Sequence, residues 1–441
     1  MYASNVGRAF LNAYNQKSKN NYNAKTFFEE VFIPLFFDHP KYMMTAGNSP
    51  LENPKLSWED MIKGKKTFES PEQRQERISK MINKIETEKA DASIAIGYAV
   101  LDTTAGTSGQ ITNIELPDNK EDIYLSWIGA GLGIGVEDNI TILFEYEQLL
   151  LDVFDGWKYY RDYLERTPLM KGNQINTWNG HWISHLYGYS FDKSDPIYGM
   201  NPLEKTKEDL FNLPTINWIK VLLGISLQFS QNNLTGYLYN IGKSNTTIGF
   251  IPFIIQDIRK PNQFYERIFG KSSFLHDIKL IENLYGTAFG LRTACQNGSI
   301  GVQAMEPNGI RAFFSTGKGT KKISYNENDE KQRITFNTYL IWILAMLNNE
   351  KLWDTSREIA QRLIKYKLSA EKSRTNRKTD VENLLSSTTS KQFLLNLIPI
   401  IEEEKEVGDF EELGKLVHLM PKDNFPYFNT LIRFQYALLN K

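Results

Sequence analysis

The segment Phe336-Asn-Thr-Tyr-Leu-Ile-Trp-Ile-Leu-Ala-Met-Leu347 is apolar on nearly every side, which is typical of a helix buried on most of its surface. More helical patterns follow it. Apolar residues recur at helical spacing over 359–366, and Thr355-Ser-Arg-Glu358 has the S/T-x-x-E spacing of a capping box. Short polar connectors between such helices favour antiparallel neighbours. The sequence therefore predicts an all-α helical bundle over residues 331–441.

The chain before this bundle contains both helix-like and strand-like sequence patterns. A helical pattern spans residues 146–166, whereas residues 93–101, 122–128 and 140–146 resemble strands. Glycine-rich and polar stretches separate these elements, which is typical of loops. We predict an α+β protein in which residues 1–330 form an irregular, loop-rich mixed body that precedes the bundle.

Composition limits the possible functions. A chain of 441 residues exceeds one ordinary core and favours two or three domains. The formal net charge of -1 provides no global attraction to nucleic acid or to an anionic membrane, so any such binding must come from local patches. The single cysteine excludes intramolecular disulfides and favours a reducing compartment.

Membrane and export signals are weak in this sequence. The longest apolar run, residues 339–347, falls well short of the roughly 18 residues that a membrane helix needs. The first ten residues lack the basic-then-apolar order of a signal peptide. We therefore expect a soluble cytoplasmic protein with no membrane partner.

Two glycine motifs resemble nucleotide-binding signatures. Gly129-Ala-Gly-Leu-Gly-Ile-Gly135 has the order G-x-G-x-G-x-G, whereas a dinucleotide turn needs G-x-G-x-x-G between a strand and a helix. Gly242-Lys-Ser244 lacks the first glycine of a phosphate-binding loop, because Tyr237 occupies that position. We expect the glycine run to serve close backbone packing or a bulged strand, and we predict no cofactor.

His181 and His185 lie one helical turn apart, at a spacing that can hold zinc. Trp182 stands where a metalloprotease would carry its glutamate base. We favour packing or hydrogen bonding for both imidazoles and predict no metal site. Cys295 is likewise expected to be a small buried thiol rather than a nucleophile.

Nucleases hold magnesium with clustered carboxylates, and acids of this type lie at Glu145, Glu147, Asp152 and Asp155. Glu403-Glu-Lys405 also gives a formal E-x-K, but it lies in an acidic helical run that is typical of a solvated face. The sequence contains no G-x-S-x-G nucleophile elbow. We predict no catalytic residues.

Polar segments rich in amides and hydroxyls are the strongest sign of binding. Asparagine and glutamine pair with base edges, lysine meets phosphate, and an indole stacks on an exposed base. The alternative is ordinary turn chemistry that satisfies the local backbone. The predicted DNA-binding residues of these segments are Thr103, Thr104, Thr107, Ser108, Gln110, Lys171, Asn173, Gln174, Asn176, Trp178, Asn179, Lys243 and Asn245.

A local excess of positive charge lies within the predicted bundle. Residues 351–378 hold nine Lys or Arg residues against three Asp or Glu. Such an excess can follow a nucleic-acid strand, although a solvated helix face is an equal alternative. From this segment we select Arg374, Arg377 and Lys378 as further DNA-binding residues.

A loop-rich body without a catalytic constellation, followed by a small helical bundle with a basic face, resembles the large subunit of type I CRISPR–Cas interference complexes (Cascade), in particular the type I-B/I-A branch. The similarity covers most of the chain. It rests on the texture of residues 103–110 and 171–185, and of Tyr237-Leu-Tyr-Asn-Ile-Gly-Lys-Ser-Asn-Thr-Thr-Ile-Gly-Phe250 and Phe425-Pro-Tyr-Phe-Asn-Thr-Leu-Ile-Arg-Phe-Gln-Tyr436. No functional residue is transferred from the family, so the site residues above come from this sequence.

The resemblance implies a non-catalytic subunit that inspects duplex DNA for the protospacer-adjacent motif, helps to open the duplex and stabilises the displaced strand. Sequence specificity would lie in pairing between guide RNA and target. The implied partners are the other Cascade subunits and the guide RNA, the target double-stranded DNA, and a recruited helicase-nuclease. Near-neutral charge fits, because most of the surface would contact protein.

Two alternatives from other classes stay open. The chain is a restriction-type or other phage-defence nuclease if its acids assemble a metal site, or a scaffold protein if it never contacts nucleic acid. Magnesium-dependent cleavage of DNA by the purified chain would identify the nuclease.

Overall fold

The computed structural model describes residues 1–52, 58–100, 119–229, 233–240, 246–288, 290–314, 321–326, 328–369, 374–403 and 408–440. The chain divides into two compact units, Met1–Phe253 and Ile254–Lys441. This boundary lies well before the predicted division at 330/331.

The α+β class is confirmed, with a small antiparallel sheet among helices and a helical C-terminal region. The described helices of the first unit are α1 (Tyr2–Ser18), α2 (Ala24–Phe27), α3 (Ile33–Phe36), α4 (Trp58–Ile62), α5 (Pro71–Thr87), α6 (Lys120–Gly131), α7 (Glu147–Arg166), α8 (Ile175–Leu186) and α9 (Trp218–Gln228). Its strands are β1 (Ile134–Val136), β2 (Ile140–Phe144), β3 (Glu204–Lys205), β4 (Phe211–Asn212), β5 (Asn233–Asn240) and β6 (Thr246–Ile254).

A four-stranded sheet in the order β1-β2-β5-β6 organises this unit. β2 pairs antiparallel with β1 and with β5, and Leu143 lies opposite Tyr237. Alternation sets the two faces of β5, because successive side chains of a strand point to opposite sides. Leu234 and Leu238 are buried, whereas Tyr237 is half-buried. The tyrosine therefore lies on the more open face of the sheet.

The glycine run closes α6 and leads into β1. Gly129 packs against α1, and a Cβ on Gly135 would lie 2.8 Å from the backbone of Asn176 in α8. Glycine permits this approach because it carries no side chain. Close backbone packing is thus the role of the run, as we favoured, and no strand-to-helix dinucleotide turn forms here.

Three predicted local structures of the first unit differ from the observed ones. Residues 93–97 form turns and a bend, no strand forms over 93–100, and residue 101 lies outside the described residues. Residues 122–128 belong to α6, and most of the predicted loop 171–185 belongs to α8. α6 is buried on all sides, so its apolar run carries no periodicity that separates a buried helix from a buried strand. The strand at 140–146 and the helix at 146–166 are confirmed by β2 and α7.

The second unit is helical. Its described helices are α10 (Ile255–Phe269), α11 (Lys271–Leu284), α12 (Leu291–Cys295), α13 (Glu330–Leu347), α14 (Leu352–Leu368), α15 (Arg374–Leu385), α16 (Ser390–Glu403), α17 (Gly408–Leu419) and α18 (Phe425–Leu439). α13 contains the apolar segment 336–347, and it is buried on nearly every side, as predicted. Among the described residues, no helix is long and apolar enough to cross a bilayer.

α13 explains why the unit boundary precedes residue 331. This helix packs on α10 and α11 as well as on α18. Its Trp342 indole N–H donates to the carbonyl oxygen of Val302 at 2.9 Å. The helical unit therefore includes elements that we had assigned to the mixed body. The predicted capping box at 355–358 does not form, because α14 already begins at Leu352.

Candidate nucleic-acid interface

Asn176 and Asn179 hold the C-terminal end of α6. The Asn179 amide donates to the carbonyl oxygens of Gly131 and Gly133 at 2.8 and 2.9 Å. The Asn176 amide donates to Ala130 and Gly133, both at 2.9 Å. The last carbonyls of a helix have no partner within the helix, so side-chain donors satisfy them. The prediction that these amides read base edges is corrected: their donors serve the backbone.

Trp178 lies in the core of the first unit. Its side chain is fully buried, and its indole N–H donates to the carbonyl oxygen of Gly156 at 2.9 Å. The ring stacks on Tyr160 at a centroid distance of 5.4 Å. Stacking on a base needs an exposed ring face, so the predicted role of Trp178 is wrong.

The residues just before α8 are also engaged. The Gln174 side chain donates to the carbonyl oxygen of Leu213 and accepts from the Leu213 N–H, both at 3.1 Å. Asn173 is half-buried, and its N–H donates to the carbonyl oxygen of Tyr42 at 2.8 Å. Lys171 forms a 2.7 Å ion pair with Glu59. That pair is partly exposed and therefore weak, so Lys171 is the residue of this segment best able to exchange its partner for a phosphate.

Some predicted site residues lie outside the described residues: Thr103, Thr104, Thr107, Ser108, Gln110, Lys243 and Asn245. Arg374 begins α15, but its side chain is not among the described parts. Arg377 forms a 2.8 Å ion pair with Glu403 and lies 4.7 Å from the ring centroid of Tyr366. Lys378 is well exposed, and its Nζ lies 3.8 Å from a carboxylate oxygen of Glu382. Lys378 is thus a freer cation than Arg377.

The two histidines contact separate backbone carbonyls. Nε2 of His181 lies 2.7 Å from the oxygen of Pro214, and Nε2 of His185 lies 3.0 Å from the oxygen of Pro196. Burial lowers the pKa of both imidazoles. Hydrogen bonding, the interpretation that we favoured, is confirmed. Cys295 is buried as expected, and burial raises its pKa to about 11, which disfavours the reactive thiolate.

Acids of the first unit make ordinary contacts. Asp152 accepts hydrogen bonds from the Tyr187 hydroxyl at 2.6 Å and from Gln148 at 2.8 Å. Burial raises the pKa of Asp152. Asp155 forms a weak exposed pair with Lys17 at 3.4 Å.

One group in the second unit has the residue types of a metal site. Among the described residues, His276, Asp277 and Glu330 are the only three such side chains whose ligand atoms lie within 4.8 Å of one another. Arg333, however, donates to both oxygens of Asp277 at 3.0 Å, and the Tyr265 hydroxyl donates at 2.7 Å. The central carboxylate is already saturated by an arginine and a tyrosine. We therefore interpret this group as a structural ion-pair network.

An aromatic group on the open face of the sheet was not predicted. The ring centroids of Tyr2, Tyr237 and Phe250 are 4.9–5.1 Å apart in all three pairs. Phe250 is 57% exposed, although large apolar side chains are usually buried. We call these three residues the aromatic cluster. It offers an exposed ring supported from below by two others.

Strand alternation and helix α1 together build the cluster. Tyr237 lies on β5, Phe250 lies on β6, and Tyr2 comes from the first turn of α1. The Tyr237 hydroxyl is 3.2 Å from the hydroxyl of Thr247, which ties the two strands together. Alternation in residues 233–240 indicates that Tyr237 shares a face with Tyr239. Nothing in the sequence around Tyr2 indicates that its ring contacts Tyr237 and Phe250.

Comparison of the chain with protein-family models, curated proteins and solved structures gave no match.

Proposed function

We propose that this chain is a non-catalytic nucleic-acid-binding protein that holds single-stranded DNA on the aromatic cluster. Together with the sequence resemblance, this role corresponds to the large subunit of a type I CRISPR RNA-guided surveillance complex. Such a subunit recognises the protospacer-adjacent motif and stabilises the displaced strand. Its partners would be the other Cascade subunits, the guide RNA, the target duplex and a recruited helicase-nuclease.

The exposure of Phe250 is the observation that carries the proposal. A ring that is 57% exposed and braced by Tyr2 and Tyr237 loses little freedom when a base stacks on it. Every base has a π-face, so stacking of this kind tolerates any sequence, as a displaced strand requires. The near-neutral chain makes stacking more important, because it has no general attraction to phosphates.

Anisotropy titration of a fluorescein-labelled 20-nucleotide single strand tests the proposal. Phe250→Ala is expected to weaken binding by about fivefold or more, since one stacked base is worth about 1–3 kcal/mol. Tyr198→Ala is the matched control, because Tyr198 is another exposed aromatic residue of the first unit, 68% exposed. Equal affinity of Phe250→Ala and the unmodified chain would remove the aromatic cluster from any role in strand binding.

The two alternatives predict different results. A nuclease would cleave the labelled strand in magnesium and lose this activity on Glu145→Gln or Asp155→Asn. A scaffold protein would bind neither single-stranded nor duplex DNA. The CRISPR assignment further requires genes for Cascade backbone subunits beside the gene for this chain.

A further inference from the structure

A cavity of about 300 Å³ opens beside the aromatic cluster. Its lining residues are Tyr2, Phe144, Glu145, Tyr146, Asn233, Leu234 and Thr235. The volume is at the lower end of the range of about 300–1,000 Å³ that is typical of small-molecule pockets. Tyr2 belongs both to this cavity and to the aromatic cluster, so the cavity and the cluster adjoin each other.

Aromatic rings form walls suited to a flat ligand. Phe144 is buried at the end of β2, and Tyr146 packs edge-on against Phe229 at a centroid distance of 4.7 Å. Those contacts fix the walls, so little ordering is needed when a planar ring enters. Asn233 and Thr235 are exposed polar residues on the same lining.

Glu145 and Tyr2 supply the cavity with a hydrogen-bond acceptor and a hydrogen-bond donor, respectively. An ionised carboxylate only accepts hydrogen bonds, whereas a protonated phenol donates one. Burial, reinforced by the charge of Glu145, raises the pKa of Tyr2 to about 12, so its hydroxyl keeps the proton at neutral pH. Tyr2 therefore offers a donor and Glu145 a two-oxygen acceptor, while the side chains of Asn233 and Thr235 add groups that can donate or accept.

Guanine is the nucleic-acid base whose edge complements the Tyr2 donor and the Glu145 carboxylate together. Its Watson–Crick edge presents the O6 acceptor beside two adjacent donors, the ring N1–H and the exocyclic N2 amine. Adenine and cytosine place a ring-nitrogen lone pair beside their one amine, and thymine places its single N–H between two carbonyls. Each of these would oppose a lone pair to the carboxylate.

We propose that this cavity binds one unstacked guanine of a single strand, with Glu145 accepting from N1–H and N2–H and Tyr2 donating to O6. The proposal rests on the proposed function, because the strand reaches the cavity from the aromatic cluster. Recognition at the Watson–Crick edge together with stacking is the usual way in which proteins read unpaired bases. The chain would then add a one-base preference to sequence-tolerant binding.

Two titrations test the cavity and the strand surface separately. The first compares anisotropy of a labelled thymidine decamer with decamers carrying one central guanine, hypoxanthine, adenine or cytosine. The unmodified chain is expected to prefer the guanine strand by about tenfold, with hypoxanthine intermediate because it lacks the N2 amine. Glu145→Gln should abolish the preference, since a glutamine side chain has one acceptor and replaces the other by a donor. The ratio between strands is the readout, because removing a negative charge alone strengthens binding to every strand equally.

Glu147→Gln is the matched control, because Glu147 is an exposed acid two residues away that does not line the cavity. An equal loss of preference in both variants would overturn the guanine site. The second titration uses free guanosine, followed by saturation-transfer NMR. Guanosine binding that depends on Glu145, without any strand binding, would sustain the cavity and reject the proposed function. Strand binding that depends on Phe250, without any guanine preference or guanosine signal, would reject the cavity and leave the proposed function intact.

Discussion

Gly7 and Gly129 face each other where α1 crosses α6. A Cβ on Gly129 would lie 1.9 Å from the carbonyl oxygen of Ala3, and a Cβ on Gly7 would lie 2.2 Å from the carbonyl oxygen of Leu125. Real side chains do not approach backbone atoms this closely, so the two helices cross with their backbones in contact. This crossing also fixes Tyr2, at the start of α1, against the sheet.

Gly129→Ala is expected to lower the free energy of unfolding by about 3 kcal/mol, since overpacking a close contact costs about 1–3 kcal/mol or more. The clash with the α1 backbone outweighs the gain in helix propensity, which is about 1 kcal/mol. Urea denaturation measures the change. Gly414→Ala is the control, because the nearest atom to its Cβ lies at an ordinary 3.9 Å. A destabilisation no greater than that of the control would show that the helices separate at little cost.

Local features of this fold were predictable, and long-range partners were not. The helix over 146–166 was predictable because its apolar face repeats within its own sequence. The partners of Asn179 are Gly131 and Gly133, which lie 48 and 46 residues away in the sequence. An asparagine that caps a distant helix end has the same sequence signature as one that contacts a ligand.

The aromatic cluster was not predictable from the sequence, because its residues are brought together by long-range packing. Tyr237 shares a visible alternation with its neighbours, but Tyr2 and Phe250 come together only through the crossing of α1 and the pairing of β5 with β6. The sequence predicts a binding site at α8 because the amides and the indole in this segment are good ligands for bases. Burial reverses that interpretation for Trp178 and Asn179.

Asn179→Ala is therefore expected to change stability. The substitution removes the Asn179 amide that donates to the carbonyl oxygens of Gly131 and Gly133. Loss of a buried hydrogen-bond partner lowers the free energy of unfolding by about 1–3 kcal/mol. Trp178→Ala should cost about 3–5 kcal/mol, as expected for a large buried aromatic side chain. Thermal unfolding and strand binding are measured together. Weaker DNA binding by Asn179→Ala at unchanged stability would restore the base-reading role.

Asp277 and Arg333 are expected to stabilise the second unit as a buried pair. Asp277 is fully buried, so Arg333→Met leaves its carboxylate charge without the arginine that pairs with it. This change should lower the free energy of unfolding by about 3–5 kcal/mol. The double variant Asp277→Asn, Arg333→Met should lose less than Arg333→Met alone, because it removes the unpaired charge. Urea denaturation at pH 7 compares the three proteins. A double variant as unstable as Arg333→Met would mean that packing, rather than charge, accounts for the loss.

The same pair predicts a pH dependence. Burial by itself would raise the pKa of Asp277, but hydrogen bonds from Arg333, His276 and Tyr265 outweigh it and hold the pKa below its ordinary value. Ionised Asp277 therefore stabilises the fold above the unfolded pKa of about 3.9, and this contribution is lost as pH falls through the lower folded pKa. The stability difference between the unmodified protein and Asp277→Asn should shrink below about pH 4. The comparison is made in a His276→Gln background, since contact with Asp277 and Glu330 raises the pKa of His276. A difference that stays constant down to the acid transition would contradict the assignment.

Arg377 and Lys378 are adjacent cations, but only Lys378 is expected to contribute to DNA binding. Arg377 is committed to Glu403 and to the Tyr366 ring, so Arg377→Gln should lower the unfolding temperature and leave the salt dependence of binding unchanged. Lys378 is 60% exposed and only loosely paired, so it is the better phosphate contact. If it meets one phosphate, Lys378→Gln should reduce the slope of log K against log salt by about 0.7 on single strands, because one fewer counterion set is released. Lys193→Gln, which removes an exposed lysine from the first unit, controls for net charge. A slope that changes equally for Lys378→Gln and Lys193→Gln would mean that α15 carries no strand contact, and the cations of this segment would then be a solvated helix face.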